Sequence, residues 1–224
     1  MKLAYYNFCP FSRALRIALL EKNIPFSLDN LNPWESMQED IVVSPVGNIP
    51  VLCDEIDDHK FKIISASAAY EYLEDGYHDT TLYGEEVLIR AEVRRLISWM
   101  DSDFFPNVSS KLIDEKIIKR LSDAEFPNSV SISDAFAYLP YHMEYIDFLT
   151  GKRKWIAGDD FSMADIVAGA HLSIIDYLGD INWGEYPNVK NWYVKLKSRP
   201  SFQEMLGDNI GSIIPSDSYR NLDF

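Results

Sequence analysis

Cysteine is scarce in this chain of 224 residues: only Cys9 and Cys53 are present, far apart in the sequence. Two separated cysteines exclude a disulfide-rich scaffold and a cysteine-rich zinc site, and they suit a reducing compartment. The four histidines have no ligand-like spacing, so we expect no metal site. No run of 18 apolar residues and no signal peptide are visible. The sequence therefore predicts a cytoplasmic protein that does not insert into a membrane.

Positively charged residues are also few: the chain has 21 Lys and Arg against 35 Asp and Glu, which gives a net charge of −14. Such a chain repels nucleic-acid phosphates and anionic lipid, which disfavours both as partners. Apolar residues, in contrast, make up 47% of the chain and aromatic residues 13%. This is enough to bury a substantial core, so we expect one large or two small folded domains.

Strand and helix patterns alternate over residues 1–76. Two helices are predicted, with Arg13 and Arg16 on the outward face of the first. The strands are predicted at 3–6, 26–31, 51–53 and 61–64, and the helices at 12–22 and 66–73. The order β-α-β, loop, β-β-α is typical of a small mixed sheet with a crossover helix.

Strand patterns vanish after residue 76. We predict a linker at 77–84, an all-helical domain at 85–206 and a C-terminal tail at 207–224. The helices are expected at about 85–100, 106–121, 130–149, 162–178, 187–198 and 201–206. Ser162 and Asp165 have the spacing of a capping box at a helix start, which predicts a structural role.

Four local signatures resemble the glutathione S-transferase superfamily over essentially the whole chain. They are Phe-Cys-Pro-Phe-Ser-Arg at 8–13 and the segments 44–52, 161–166 and 187–202. The resemblance implies a glutathione S-transferase fold, in which an α/β thioredoxin-like domain precedes an all-α domain. It also implies glutathione as a co-substrate and, usually, a homodimer. In that dimer we expect the helix at 85–100 at the interface, with three arginines facing acidic residues of the partner: Arg90, Arg94 and Arg95.

A proline stands directly before the third predicted strand. Because proline lacks the N–H that a central strand needs, we predict a cis bond between Ile49 and Pro50. By the resemblance, the backbone of Asn48, Ile49 and Pro50 holds the cysteinyl part of glutathione.

Cys9 follows the first predicted strand and precedes a helix. The positive end of the helix dipole and the charge of Arg13 favour a thiolate with a depressed pKa. Resemblance to cysteine-type transferases implies that Cys9 forms a mixed disulfide with glutathione, with Ser12 as an alternative hydroxyl donor. The alternative is that Cys9 is an inert residue packed in the turn. The sequence leaves the reactive and the inert interpretation of Cys9 open.

The carboxylate-binding position departs from the family pattern. Glutathione-binding members normally carry an acidic residue followed by serine, and here Ser65 and Ala66 stand in those places, with Ser67 next. The helix N-terminus and the two hydroxyls can still bind a carboxylate. Losing one charge-assisted hydrogen bond of about 1.5–3 kcal/mol weakens binding roughly tenfold to a hundredfold.

Further segments, at 31–35, 90–99, 172–183 and 218–224, resemble one bacterial branch of the superfamily that binds the tubulin-like division protein FtsZ. Candidate partner-binding residues are Trp34 in a loop and four tail residues: Tyr219, Leu222, Asp223 and Phe224. Because the tail carries apolar anchors, we expect it to dock on its own domain or on a partner. Two functions remain open: glutathione transfer or thiol–disulfide chemistry at Cys9, and a non-catalytic cell-division adaptor that binds FtsZ filaments.

Overall fold

A computed structural model describes residues 1–31, 49–122 and 126–224. Two candidate residues, Trp34 and Asn48, lie outside this part of the chain. The contacts divide the chain into one unit at Met1–Thr81 and a second at Leu82–Phe224.

A four-stranded mixed sheet is the centre of the first unit. Its strands are β1 (Lys2–Tyr5), β2 (Ser27–Asn30), β3 (Val51–Ile56) and β4 (His59–Ile64). They lie in the order β2-β1-β3-β4, with β1 parallel to β2 and antiparallel to β3. Leu3 and Leu52 pair across β1 and β3 and are fully buried, so the middle of the sheet forms the core.

A tight hairpin joins β3 to β4. Its two turn residues, Asp57 and Asp58, have positive φ angles of 49° and 62°, which suit the right-handed twist of paired strands. Strands β3 and β4 are longer than the sequence predicts. Most of the segment 54–60, which was expected to be a turn, continues their pairing at an exposed end of the sheet.

In the described part of the first unit there are two helices, α1 (Pro10–Glu21) and α2 (Ala66–Gly76). Arg13 and Arg16 of α1 are buried, so the prediction that they face outward is wrong. The Arg13 Nε donates to the Asn7 carbonyl at 2.7 Å, and the Arg16 guanidinium lies 5.8 Å from the centre of the Tyr5 ring. Each long side chain thus finds a local partner that compensates for burial.

A buried ion pair links the ends of these two helices. The Lys22 Nζ lies 3.0 Å from the Glu74 Oε2, and both side chains are almost inaccessible to solvent. The same ammonium donates to the carbonyls of Tyr77, at 2.9 Å, and Thr80, at 2.6 Å. The Thr81 hydroxyl donates to Glu74. The network fixes residues 77–81 against the end of α1.

The second unit is built from helices. They are α3 (Val87–Trp99), α4 (Ser110–Ile113), α5 (Lys119–Ser122), α6 (Ser129–Lys152), α7 (Met163–Leu178), α8 (Pro187–Lys197), α9 (Pro200–Leu206) and α10 (Asp217–Arg220). Within the described ranges, no helix is long and apolar enough to cross a bilayer.

A continuous helical rod runs from α3 to α5. Two π-helical stretches, Met100–Ser109 and Asp114–Ile118, join the three helices. The prediction of separate helices at 85–100 and 106–121 is therefore wrong. Pro106 lies inside the first stretch, where the widened turn accommodates a residue without an N–H.

Helix α7 forms the core of the second unit, since its residues are buried from Met163 to Tyr177. Gly169 permits two side chains to approach closely: an added Cβ would lie 2.7 Å from the Leu196 Cδ1 and 3.1 Å from the Phe202 Cε2. A sheet with crossover helix, followed by a helical unit, confirms the predicted fold class.

Candidate functional site

The turn before α1 holds Cys9 at the helix N-cap position. The Cys9 N–H donates to the Tyr6 carbonyl at 3.1 Å, and its carbonyl accepts from the Arg13 N–H at 3.0 Å. The thiol donates to the Ile49 carbonyl with a sulfur–oxygen distance of 3.8 Å. The structure therefore brings together the candidate nucleophile and the predicted peptide clamp.

Burial raises the pKa of the Cys9 thiol above its usual value. The Ser12 hydroxyl, the backbone N–H groups of Ser12 and Phe11 and the charge of Arg13 act in the opposite direction. Desolvation outweighs them, so the net shift of the pKa is upward and disfavours the thiolate. The prediction of a depressed pKa is wrong. Cys9 is half-buried, and its raised pKa favours the weakly reactive alternative.

Alkylation tests this protonation state. In a Cys53→Ser background at pH 7, we expect Cys9 to react with iodoacetamide roughly tenfold more slowly than free cysteine, because thiolate is the reactive form. The Cys9→Ser, Cys53→Ser double variant gives the background rate, and the urea-unfolded single variant should react like free cysteine. A folded rate above that of free cysteine would contradict the raised pKa.

The Ile49–Pro50 peptide bond is cis, which confirms the prediction from the sequence. The Ile49 carbonyl accepts from the Cys9 thiol, so one of the two backbone groups expected to bind a ligand has an intramolecular partner. Its role toward glutathione remains a prediction.

The start of α2 holds the candidate carboxylate-binding residues. Ser65 is the N-cap, with a φ of 149°, and its hydroxyl accepts from the Ala68 N–H at 3.5 Å. The Ser65 and Ser67 hydroxyl oxygens lie 3.0 Å apart. Ala66 contributes only a methyl group, and the first turn contains no acidic residue. Tyr70, one turn later, donates to the Phe11 carbonyl at 3.4 Å, which links α2 to the Cys9 turn.

A separate cleft of about 440 Å³ lies along β1, β3 and β4. Its lining residues are Met1, Lys2, Cys53, Asp54, Glu55, Lys60, Phe61 and Lys62, none of which was predicted to bind glutathione. Cys53 is half-buried there. In the described parts of the chain, no group of three or more potential metal ligands comes together.

Asp165 is the hub of the capping box at the start of α7. Its Oδ2 accepts from the Ser162 N–H at 3.0 Å and from the Ser162 hydroxyl at 2.9 Å. Its Oδ1 accepts from the Ile156 N–H at 2.9 Å and the Trp192 Nε1 at 2.8 Å. Burial raises the pKa of the Asp165 carboxyl to about 6. The carboxylate connects the start of α7 with α8 and with the loop that contains Ile156. These contacts indicate a structural role for Asp165.

The C-terminal tail docks on its own helical unit. Tyr219 is buried, its ring centre lies 4.8 Å from that of Tyr177, and its hydroxyl donates to the Met205 carbonyl at 3.3 Å. Phe224 packs with its ring centre 5.0 Å from that of Trp183. Leu222 is half-buried and Asp223 is exposed.

Sequence reasoning missed the residue that holds this tail, Lys197 at the end of α8. Its side chain is fully buried, and its ammonium donates to the Ser218 carbonyl and, at 2.6 Å, to the Asn221 carbonyl. Burial lowers the pKa of Lys197 to about 8, while the Asp176 carboxylate, 3.9 Å away, acts in the opposite direction. A lysine in the last turn of a helix is common, so the sequence gives no specific signal for this contact.

Two family models match the chain: the glutathione S-transferase N-terminal domain over residues 3–81 and the C-terminal domain over residues 130–200. The chain therefore belongs to the glutathione S-transferase family, as its motifs predicted.

Within that family it is similar to FtsZ-localized protein A of Caulobacter vibrioides. The two are 37% identical over 222 residues, which cover 99% of this chain and 97% of the relative. The solved structure of FzlA from C. crescentus matches with a TM-score of 0.94 at 37% identity, over 100% of this chain and 99% of that one. A glutathione S-transferase from Rhodospirillum rubrum F11 matches with a TM-score of 0.93 at 38% identity and the same coverage.

Proposed function

We propose that this protein is a glutathione-transferase-fold adaptor that associates with FtsZ filaments in the cytoplasm during bacterial cell division. The observation that carries the proposal is the geometry of the Cys9 turn, where the thiol donates to the Ile49 carbonyl at 3.8 Å and burial raises the pKa of that thiol. A transferase of the cysteine type needs a thiolate that can reach a disulfide or an electrophile. The similarity of the whole chain to FtsZ-localized protein A supports FtsZ as the partner.

The start of α2 supports the same proposal. A transferase must bind the γ-glutamyl end of glutathione tightly enough to hold its thiol in place. Ser65 uses its hydroxyl to cap its own helix and to contact Ser67, and Ala66 offers no polar group. Selection for glutathione binding would favour an acidic residue here, whereas an adaptor has no need of one.

Co-sedimentation with FtsZ tests the adaptor function. We expect the wild-type chain to pellet with assembled FtsZ filaments and to remain in the supernatant with unassembled FtsZ. The Cys9→Ala variant should pellet to the same extent, since the proposal gives the thiol no part in binding. Failure of the wild-type chain to pellet with filaments would refute the adaptor proposal.

A second candidate function is glutathione binding. It is favoured by the N-terminus of α2, because the start of a helix attracts a carboxylate and the hydroxyls of Ser65 and Ser67 lie there. By calorimetry we expect weak or absent binding of reduced glutathione to the wild-type chain. The Ser65→Glu, Ala66→Ser variant should bind at least roughly tenfold more tightly, because it restores a charge-assisted hydrogen bond. Equal affinity in both proteins would mean that the start of α2 is not the carboxylate site.

We propose that the protein acts as a homodimer. Its support is a set of exposed apolar side chains in the second unit, on α3 and α6: Val87, Leu88, Tyr138, Tyr141 and Phe148. Arg95 forms an ion pair with Glu92 at 2.7 Å within its own helix and keeps about half of its side chain exposed. Its position facing acidic residues of a partner subunit stays a prediction, as do those of Arg90 and Arg94. Light scattering at micromolar concentration should give twice the chain mass of 25.8 kDa, and the single mass would refute the dimer.

A further inference from the structure

The cleft along β1, β3 and β4 has no part in the proposed function. Its volume of about 440 Å³ is typical of a site for a small molecule. Cys53 is among its lining residues, and its half-buried thiol forms no disulfide. The cleft therefore combines a nucleophile with space for a group that becomes attached to it.

The strand register places a lysine on each side of Cys53. Lys2 of β1 and Lys62 of β4 are both directly opposite Cys53 in the antiparallel ladders. Directly opposite residues point to the same face of a sheet, and their Cβ atoms are about 4.5–5.5 Å apart. The thiol therefore lies between two positively charged side chains, in one row across three strands.

The two lysines differ in their partners. The Lys2 ammonium lies 2.7 Å from the Asp29 carboxylate. Asp29 raises the pKa of Lys2, and the negative charge of an ionised Cys53 acts in the same direction, so the ammonium and the sulfur are close enough to interact. Lys62 is exposed, and it forms no ion pair within the part of the chain that the structure describes. Its charge is available to an anionic ligand.

The acidic residues of the cleft do not neutralise Lys62. Glu55 lies 3.9 Å from the Lys60 ammonium in a neighbouring row of the sheet. Asp54 accepts from the Tyr72 hydroxyl at 2.6 Å. Both carboxylates thus have other partners, and the surroundings of Cys53 favour an anion although the chain as a whole carries a net charge of −14.

The sheet can carry a group on Cys53 without losing its pairing. The hydrogen bonds of β3 to β1 and β4 use backbone groups, which leaves the side chains outside the ladder. Leu52, the preceding residue, is fully buried in the core, and successive residues of a strand point to opposite faces. A group attached to the Cys53 sulfur therefore extends away from that core.

We propose that Cys53 is a modification site, at which the thiol forms a mixed disulfide with a small anionic thiol such as glutathione, and that Lys62 pairs with a carboxylate of the attached group. This site is separate from the Cys9 turn and from the start of α2. The inference does not depend on the adaptor function.

The reaction is a thiol–disulfide exchange with a low-molecular-weight disulfide as the oxidant. The ionised Cys53 sulfur attacks one sulfur of glutathione disulfide, so a new sulfur–sulfur bond forms and the original one breaks. The Cys53 sulfur is oxidised, and the departing half is reduced to a thiolate that takes up the proton lost by Cys53. One glutathione leaves and one stays attached. Excess glutathione reverses the exchange by the same route.

The test uses the full chain with Cys9→Ser, in which Cys53 is the only thiol. After incubation of the folded protein with glutathione disulfide, we expect intact-mass spectrometry to show one glutathionyl group. The Cys9→Ser, Cys53→Ser variant should gain none. Added to Cys9→Ser, Lys62→Gln should slow the reaction roughly threefold or more, because it removes the charge that attracts the anionic reagent.

Two matched variants and a second reagent show whether the charge at position 62 acts on the ligand. Lys62→Arg keeps the charge, and Lys60→Gln removes a charge that is already paired with Glu55, so both should react within roughly twofold of Cys9→Ser. Cystamine contains the same reactive bond but is positively charged. With cystamine, Lys62→Gln should react at least as fast as its parent.

Each result supports or overturns the inference. Slower reaction of Lys62→Gln with glutathione disulfide but not with cystamine supports it. Equal slowing with both reagents, or no slowing with either, overturns the pairing with Lys62. A folded protein that gains no adduct, while the urea-unfolded protein does, overturns the modification site. If Lys62→Gln does not fold, the salt dependence of the Cys9→Ser protein decides. Added salt should slow glutathione disulfide and not cystamine, and a rate independent of salt overturns the pairing.

Discussion

Replacing Asp165 by alanine is expected to lower the free energy of unfolding by about 3–5 kcal/mol. The carboxylate is fully buried and accepts from the Ile156 N–H, the Trp192 indole and both donors of Ser162. Alanine leaves the first two donors buried without an acceptor, and each such donor costs about 1–3 kcal/mol. Urea unfolding followed by circular dichroism measures the loss.

The matched control for this prediction is Ser162→Ala. It removes the capping hydroxyl but keeps the carboxylate and its bonds to the loop and to α8, so we expect a loss of about 1 kcal/mol. If Asp165→Ala were no more harmful than Ser162→Ala, the carboxylate would act only as a helix cap, and its links to Ile156 and Trp192 would contribute nothing measurable.

Replacing Lys22 by methionine is expected to cost about 3–5 kcal/mol. The change leaves the Glu74 carboxylate buried without its cation, and it removes the donor to the Tyr77 and Thr80 carbonyls. The chain segment after α2 should therefore loosen first. Urea unfolding gives the overall loss, and hydrogen exchange at residues 77–81 locates it.

Two comparisons make this second prediction specific. Lys60→Met removes an exposed lysine whose ammonium is 3.9 Å from Glu55, and it should change stability by less than about 1 kcal/mol. Adding Glu74→Leu to Lys22→Met should restore part of the stability, because no unpaired charge then remains buried. A double variant less stable than Lys22→Met would contradict the explanation.

The sequence predicts features that depend on local residue order. The cis Ile49–Pro50 bond and the Ser162–Asp165 capping pair are carried by short motifs, and the structure contains both. Alternating strand and helix patterns predicted a small mixed sheet followed by a helical region, since each pattern depends on which side of an element is buried. The resemblance of four motifs to a known family supplied the rest of the fold class.

The sequence could not predict which charged and polar side chains are buried. The amphipathic pattern of α1 places Arg13 and Arg16 outside, but local carbonyl and ring partners permit their burial. The pKa of Cys9 depends on a balance between the helix end, which lowers it, and desolvation, which raises it. Only the first of these is visible in the sequence, so the direction was predicted wrongly.

The long-range contacts of the C-terminal tail could not be predicted from the sequence either. Lys197 and Ser218 are 21 residues apart, and no pattern connects a lysine at a helix end with the carbonyl of a later segment. The aromatic tail residues predicted docking, but they did not identify the receiving surface.

The close approach at Gly169 has a consequence for how this sequence can diverge. Alanine at that position would place a methyl group 2.7 Å from the Leu196 Cδ1 and 3.1 Å from the Phe202 Cε2, so the Leu196 side chain must move to admit it. A smaller residue at position 196 removes the shorter of the two contacts. We therefore expect residues larger than glycine at position 169 in relatives that carry a smaller residue at position 196.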